Sequence, residues 1–378
     1  MPLIYPILKK QEPRTSASAG GTSVYALPDA GKISSLYLVV TASCVSGGTN
    51  AAENAKLVER YTKIEVIADG SRELHVYTGP VAQAMQFYDN GRTPVDKVLE
   101  YATGMQRAII PIHFGRKVMD PDLALTLENY ESVEVRFTND ITSSVFTGLA
   151  ENLYYVKAAG DVGAFGAKGV LRKREWAKWT TVADEWKYWD LPEEELLRRI
   201  VLQANPDKTS NKADCDFRDL MYDLEYKSRS GDIELIDANL EQLLWWNALE
   251  YGYELITGGE AYRTADDSFE AGLGMQLAHG AFSSSADGSG SSTVPTRSRD
   301  DDNTILMESY EADSPVSWLT KGVGIWNTAV IRHDRMADLS DLLSLSDFKT
   351  VELNIHTRNS ASAADGTNRI VLETVVPK

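Results

Sequence analysis

Alternation of apolar and polar side chains, the mark of a half-buried strand, runs through much of this chain. In the first half it predicts strands at 32–42, 61–68, 73–77, 106–114, 132–138 and 152–158. Asp69-Gly70, between the second and third, is a hairpin signal. Residues 80–89 and 94–102 read as short helices. The order β-β-β-α-α-β lacks the rhythm of a doubly wound parallel sheet, which is therefore disfavoured. In the second half the pattern predicts strands at 196–204, 219–227, 351–357 and 369–376. It also predicts a helix at 239–251. There Leu240, Leu243, Leu244, Asn247, Ala248 and Tyr251 share one face, Asp237 or Asn239 can cap the start, and Gly252 can end it.

The two halves repeat one another. The ladder from Leu125 to Phe137 (LTLENYESVEVRF) recurs without a gap from Leu343 to Ile355 (LSLSDFKTVELNI). Apolar positions meet apolar ones, and Glu134 matches Glu352. Around it, 196–204 matches the first strand, and Leu224-Glu225-Tyr226 matches Ile64-Glu65-Val66. A turn glycine follows in both copies, at Gly70 and Gly231. Those glycines stand 161 residues apart, whereas Val133 and Val351 stand 218 apart, so about 57 residues are inserted before the second ladder. Much of the insertion is 283–303, rich in Ser, Gly, Thr and Asp, which reads as a long exposed loop; 359–367 reads as a shorter one.

The expected organisation is an arm at 1–30, a first β-domain at 31–160, a connector at 161–194 and a second β-domain at 195–378. The first residues are apolar and interrupted by proline, and the Gly/Ser-rich run 16–23 suggests a flexible stem. The connector carries glycine at every third position from Gly160 to Gly169, which reads as loop. It also carries Trp176, Trp179, Trp186 and Trp189, whose spacing suits one helical face. These four either pack against their own domains or anchor neighbouring subunits, since Trp is enriched at interface hot spots.

Composition narrows the picture. At 378 residues the chain has room for about two domains, and 43% apolar residues is ordinary for a folded protein. A net charge of −17 argues against wide electrostatic contact with nucleic acid. The most basic runs are Lys9-Lys10 with Arg14, and Arg172-Lys173-Arg174. Two cysteines, Cys44 and Cys215, are too few for a disulfide framework. The N-terminus lacks the form of a secretory signal, and no apolar run reaches the roughly 20 residues that span a bilayer.

Candidate chemistry adds little. His75, His113, His279, His333 and His356 are scattered without a metal-ligand motif; His113 and His356 fall in predicted strands and read as structural. His333-Asp334 has no nucleophile setting to complete a triad. Asp300-Asp301-Asp302-Asn303 lacks the alternation of a calcium loop, and Glu193-Glu194-Glu195 suits a helix's first turn or a solvated run. No catalytic residue, cofactor site or metal site is assigned. An alternative is a carbohydrate-binding or carbohydrate-cleaving tandem β-sandwich, with Tyr310, Trp318 and Trp326 as a sugar platform; another is a phage spike or receptor-binding protein.

The fold class these patterns define is mainly all-β, with two tandem antiparallel jelly-roll β-sandwiches and short inserted helices. The tandem copies, the helix after the early strands and the approach Asp120-Pro121-Asp122-Leu123-Ala124-Leu125-Thr126-Leu127 resemble the double jelly-roll major capsid proteins of icosahedral viruses. The resemblance spans about residues 30–378 and implies a non-enzymatic virion protein made in the host cytoplasm. It implies a homotrimer with six similar lobes, neighbouring capsomers, and penton and minor capsid proteins as partners. It places 283–303 outside and 1–14 inside, where Lys9 and Lys10 suit an internal membrane, with no direct nucleic-acid contact. The long connector and the lack of a terminal membrane helix depart from the pattern.

Overall fold

The computed structural model describes residues 4–15, 18–44, 56–94, 99–100, 105–160, 165–166, 168–193, 195–205, 220–228, 234–262, 271–272, 277–286, 315–334, 339–345, 350–358 and 366–377. Their strands form two sandwiches of like topology. In the first, one sheet runs in the order β1 (Ile4–Gln11), β10 (Phe146–Gly160), β3 (Lys32–Cys44), β7 (Met105–His113). Its partner sheet runs β2 (Thr22–Ala26), β9 (Val133–Asn139), β4 (Tyr61–Ala68), β5 (Arg72–Tyr77). In the second, β11 (Val170–Thr180), β23 (Thr367–Val376), β13 (Leu196–Asn205) and β20 (Thr328–Arg332) form one sheet. Its partner is β12 (Trp186–Asp190), β22 (Val351–His356), β14 (Asp223–Ser228), β15 (Glu234–Asn239). Each sandwich closes over its own apolar cluster. Leu36, Leu38 and Ile110 meet Ile64, Val66 and Val135 in the first, and Leu197, Ile200 and Ile370 meet Leu224, Tyr226 and Leu353 in the second.

The repeat holds at the level of single pairs. The two-residue strand β8 (Leu125–Thr126) pairs with Ile33 and Lys32 of β3, and β21 (Leu343–Ser344) pairs with Leu197 and Leu196 of β13. The hairpin β4–β5 sets Val66 opposite His75 and then skips a residue; the hairpin β14–β15 sets Tyr226 opposite Ile236 and skips one at the same step. Each hairpin then enters a twelve-residue helix, α1 (Gly79–Asn90) or α2 (Leu240–Tyr251). Thr78 and Asn239 cap the starts with side-chain oxygens, and Asn239 completes a capping box with Gln242. Gly91 and Gly252 end the helices at φ 65° and 68°, a left-handed turn that glycine adopts without strain.

Several expectations are corrected. Beyond the glycine run, the connector is built of strands: β11 and β12 pair in the second sandwich as β1 and β2 do in the first. Trp176, Trp179, Trp186 and Trp189 therefore lie on strands and not on a helical face. Thr22 and Ser23 of the stem belong to β2, where Tyr25 is buried, and Ile4–Gln11 of the arm pair with β10. In place of the helix at 94–102, residues Leu99–Glu100 form a short strand (β6) paired with β17 (Ala271–Gly272). The insertion before the second ladder builds a three-stranded sheet, in the order β16 (Glu254–Tyr262), β19 (Pro315–Ile325), β18 (Leu277–Ala286). Residues 283–286 thus belong to a strand; Gly231, Cys215, 287–303 and 359–365 lie outside the described residues.

One buried side chain ties the second helix to its sandwich. Asn247 Nδ2 donates to Val330 O at 2.8 Å, and its Oδ1 accepts from Val330 N at 2.8 Å, completing the backbone pairing of β20 with a side chain. Asn247→Ala leaves a buried donor and acceptor without partners, so a loss of about 2–4 kcal/mol is expected in urea unfolding, with Asn247→Gln no substitute.

Candidate functional site

The two sandwiches meet along a seam built by β5, α1, β11, β13 and β20. At its centre β5 and β11 run parallel, with His75 opposite Lys173 and Val76 opposite Arg174. This pairing fuses one sheet from each sandwich into a single nine-stranded sheet. His75 Nε2 lies 3.0 Å from Leu171 O, which can only accept, so that nitrogen carries the hydrogen and Nδ1 accepts from Tyr77 OH at 3.1 Å. Beside it, α1 presses its last two turns against the second sandwich. Trp326, fully buried, donates Nε1–H to Gln83 Oε1 at 2.8 Å. Tyr88 donates its hydroxyl to Thr328 O at 2.7 Å and packs edge-on to Tyr253.

Within the seam lies a buried ionic cluster. Arg198 contacts three carboxylates: Asp334 at 2.6 Å, Asp89 at 2.8 Å and Glu373 at 2.9 Å. Arg199 reaches Glu373 at 2.6 Å and Asp89 at 3.1 Å, and Lys173 Nζ lies 3.3 Å from Glu373. All six side chains are at most 2% exposed. Burial alone pushes the Glu373 carboxyl up, but Arg198, Arg199 and Lys173 together hold it well below the usual carboxylate range. Arg332 closes the cluster's edge, donating to Asp334 at 2.9 Å and to the Tyr253 hydroxyl at 2.9 Å. Asp89 comes from the first sandwich and the other members from the second, so the cluster is also a clamp between them.

His75 and His113 are buried and His333 is half-buried, and all three are held neutral. Burial, helped at His75 and His113 by the nearby Lys173 charge, lowers His75 to about 3 and His113 to about 4. Burial lowers His333 to about 4 against the opposing pull of Asp334. His113 bonds Ser35 Oγ at 2.8 Å and His333 bonds the Tyr226 hydroxyl at 3.2 Å, so both serve packing. His356 sits in β22 between Asp223 and Asp184, stacked on Trp186 at 4.8 Å.

The residues singled out in the sequence scatter. Trp176, Trp179 and Trp189 lean on the second sandwich's core, and Trp179 and Trp189 meet at 4.4 Å. Trp186 joins the His356 stack instead. Lys9 and Lys10 stand exposed on β1, with Lys10 3.2 Å from Glu12. Glu193 lies in a turn and Glu195 in a bend just before β13, not in a helix; Glu195 bridges Arg172 at 3.1 Å and Arg174 at 2.9 Å. The sugar platform fails on Trp326, whose ring is sealed in the seam; Tyr310 and Asp300–Asp302 lie outside the described residues. Among the described residues no group of three or more His, Cys, Asp or Glu side chains is arranged to hold a metal.

The seam's own residues were missed, though a signal existed. Arg198-Arg199 interrupts an otherwise apolar strand, and Glu373 interrupts another. Charge in the middle of a covered strand requires a buried partner.

No family model matches the sequence, and no curated protein is similar to it at a significant level. Solved structures are. The fold is the double jelly roll of viral major capsid proteins. The STIV MCP superposes with a TM-score of 0.57 at 11% identity, over 99% of this chain and 97% of the other. VP54 of PBCV-1 gives 0.58 at 10% identity, over 99% and 94%, and the major capsid protein P2 of bacteriophage PM2 gives 0.52 at 10%, over 99% and 98%.

Two outcomes follow from the seam. Asp89→Ala strands Arg198 and Arg199 beside too few carboxylates, and a loss of about 3–5 kcal/mol is expected in denaturant unfolding. The second concerns acid. His75, His113 and His333 hold fewer protons folded than unfolded between the ordinary histidine value and about 4, so stability is full above about pH 6.5 and falls as pH drops through that window. Each contributes a slope of about 1 kcal/mol per pH unit there, so melting temperature should fall steeply from pH 7 to pH 5, and less in His113→Asn.

Proposed function

We propose that this chain is a structural capsid protein that acts by self-assembly, three copies forming a capsomer of six similar lobes in an icosahedral shell. The observation that carries the reading is the duplication itself: two like sandwiches fused by a continuous sheet, in a fold shared across 99% of the chain with viral capsid proteins. A duplicated unit supplies two related but unequal sides, so one chain can fill two neighbouring places in a ring, and three chains can fill six. The role is a building one and not a catalytic one. Penton and minor capsid proteins would meet its outer edges in the virion, after synthesis in the host cytoplasm. Cohesion within the chain supports the same reading, because the buried clamp makes the pair of sandwiches one rigid brick.

Native mass spectrometry and negative-stain electron microscopy of the purified chain test the proposal. A particle of three times the chain mass with a six-lobed outline is expected. A chain that stays monomeric at high micromolar concentration, with no ring-shaped particles, overturns it.

A further inference from the structure

The seam has a counterpart that the chain leaves open. Each of its elements exists twice, and in the second set β1, much of β15 and one face of α2 are exposed. In the seam, the β5 edge and α1 of the first sandwich meet β11 and β20 of the second. The register fixes the equivalents: β15 and α2 stand for β5 and α1, while β1 and β7 stand for β11 and β20. Both β1 and β15 are unpaired sheet edges among the described residues. Open edges are a liability that proteins normally blunt; β1 carries Pro6, Lys9 and Lys10 and β15 carries Glu234 and Asp237, but both also expose apolar side chains. On β1, Tyr5 and Leu8 are 55% and 62% exposed. On α2, Leu249 is 83% exposed at the position where α1 buries Tyr88.

We infer that the β15–α2 face of one copy takes the β1–β7 face of the next, by the same parallel strand addition that joins the two sandwiches within the chain. This rests on the self-assembly reading above and names the surfaces it would use. The register within the chain dictates the register between copies. Lys173 pairs with Glu373 on β23 as Leu8 pairs with Val156 on β10, and His75 pairs with Val66 as Ile236 pairs with Tyr226. The inner pairs His75/Lys173 and Val76/Arg174 thus become Ile236/Leu8 and Asp237/Lys9 between copies. One pair is apolar and the other joins opposite charges, both complementary. On the helix, Tyr88 against Thr328 becomes Leu249 against Ile109, again apolar on apolar. The occupant is a second copy because the complement of each open surface is found on this chain's other end. Such a contact is head-to-tail, the kind that generates a ring where its rotation closes.

Charge reversal tests the register. Lys9→Glu and Asp237→Lys alter exposed side chains, so each variant should keep the wild-type circular dichroism. Each alone should raise the concentration for half-dissociation of the trimer about tenfold, and together they should restore it. Leu8→Cys with Ile236→Cys, treated with a short bis-maleimide in a Cys44→Ser, Cys215→Ser background, should give covalent dimers and trimers and nothing longer. A wild-type trimer that ignores both reversals and gives no cross-link overturns the inference and leaves the capsid reading standing, with a different contact face. A wild-type chain that remains monomeric overturns both.

Discussion

The architecture turns on a small set of buried charges. Asp89 on the first helix and Arg198, Arg199, Lys173, Asp334 and Glu373 on the second sandwich are all removed from water together. Desolvating six ionised groups is expensive, and their mutual attraction repays it only where geometry is good and every carboxylate has more than one cation or donor. That condition is met here: Glu373 faces three cations, and Arg198 faces three carboxylates. Such a cluster adds less net stability than an apolar core of equal volume, but it tolerates only one relative placement of its members. The sandwiches are thereby fixed in one arrangement, where a greasy contact would have allowed several.

The parallel pair β5–β11 is short, with two matched residue pairs. Alone it would be a weak joint. Around it, Trp326 bonds Gln83, Tyr88 bonds Thr328 and packs on Tyr253, and the ionic cluster includes Lys173 of the joint itself, so other contacts share the load. The neutral state of His75 belongs to the same arrangement. Its two ring nitrogens are committed to Leu171 and Tyr77, and a proton there would stand beside Lys173 with no carboxylate nearer than the ones already engaged.

Much of this was legible in the sequence, and the reasons for the rest are physical. The ladder at Leu125 and Leu343 announced the duplication because pairing with β3 and β13 requires the same small apolar and hydroxyl residues in both places. Helix 239–251 was legible from spacing and caps. The strands β11 and β12 were not, because β11 carries four consecutive charges, Arg172 to Glu175, where it crosses the seam, and β12 puts a tryptophan on each of its faces. Their pattern resembles a polar connector until the partners are known. The helix expected at 94–102 gave way to pairing of Leu99–Glu100 with the inserted segment, a contact between chain regions that no local pattern encodes. The buried charges at Arg198, Arg199 and Glu373 left a signal, but their partners across the seam did not: Arg198 and Asp89 are 109 positions apart, and nothing in either neighbourhood names the other.

The nine-stranded sheet has a mechanical meaning. A force that draws the two sandwiches apart across the strands reaches the β5–β11 rungs almost as a zipper being opened, the direction in which hydrogen-bonded ladders resist least. Left to themselves, the rungs would break in succession. The guanidinium groups of Arg198 and Arg199, gripping Asp89 across the joint, would load at the same moment as the rungs do, turning a sequential failure into a simultaneous one.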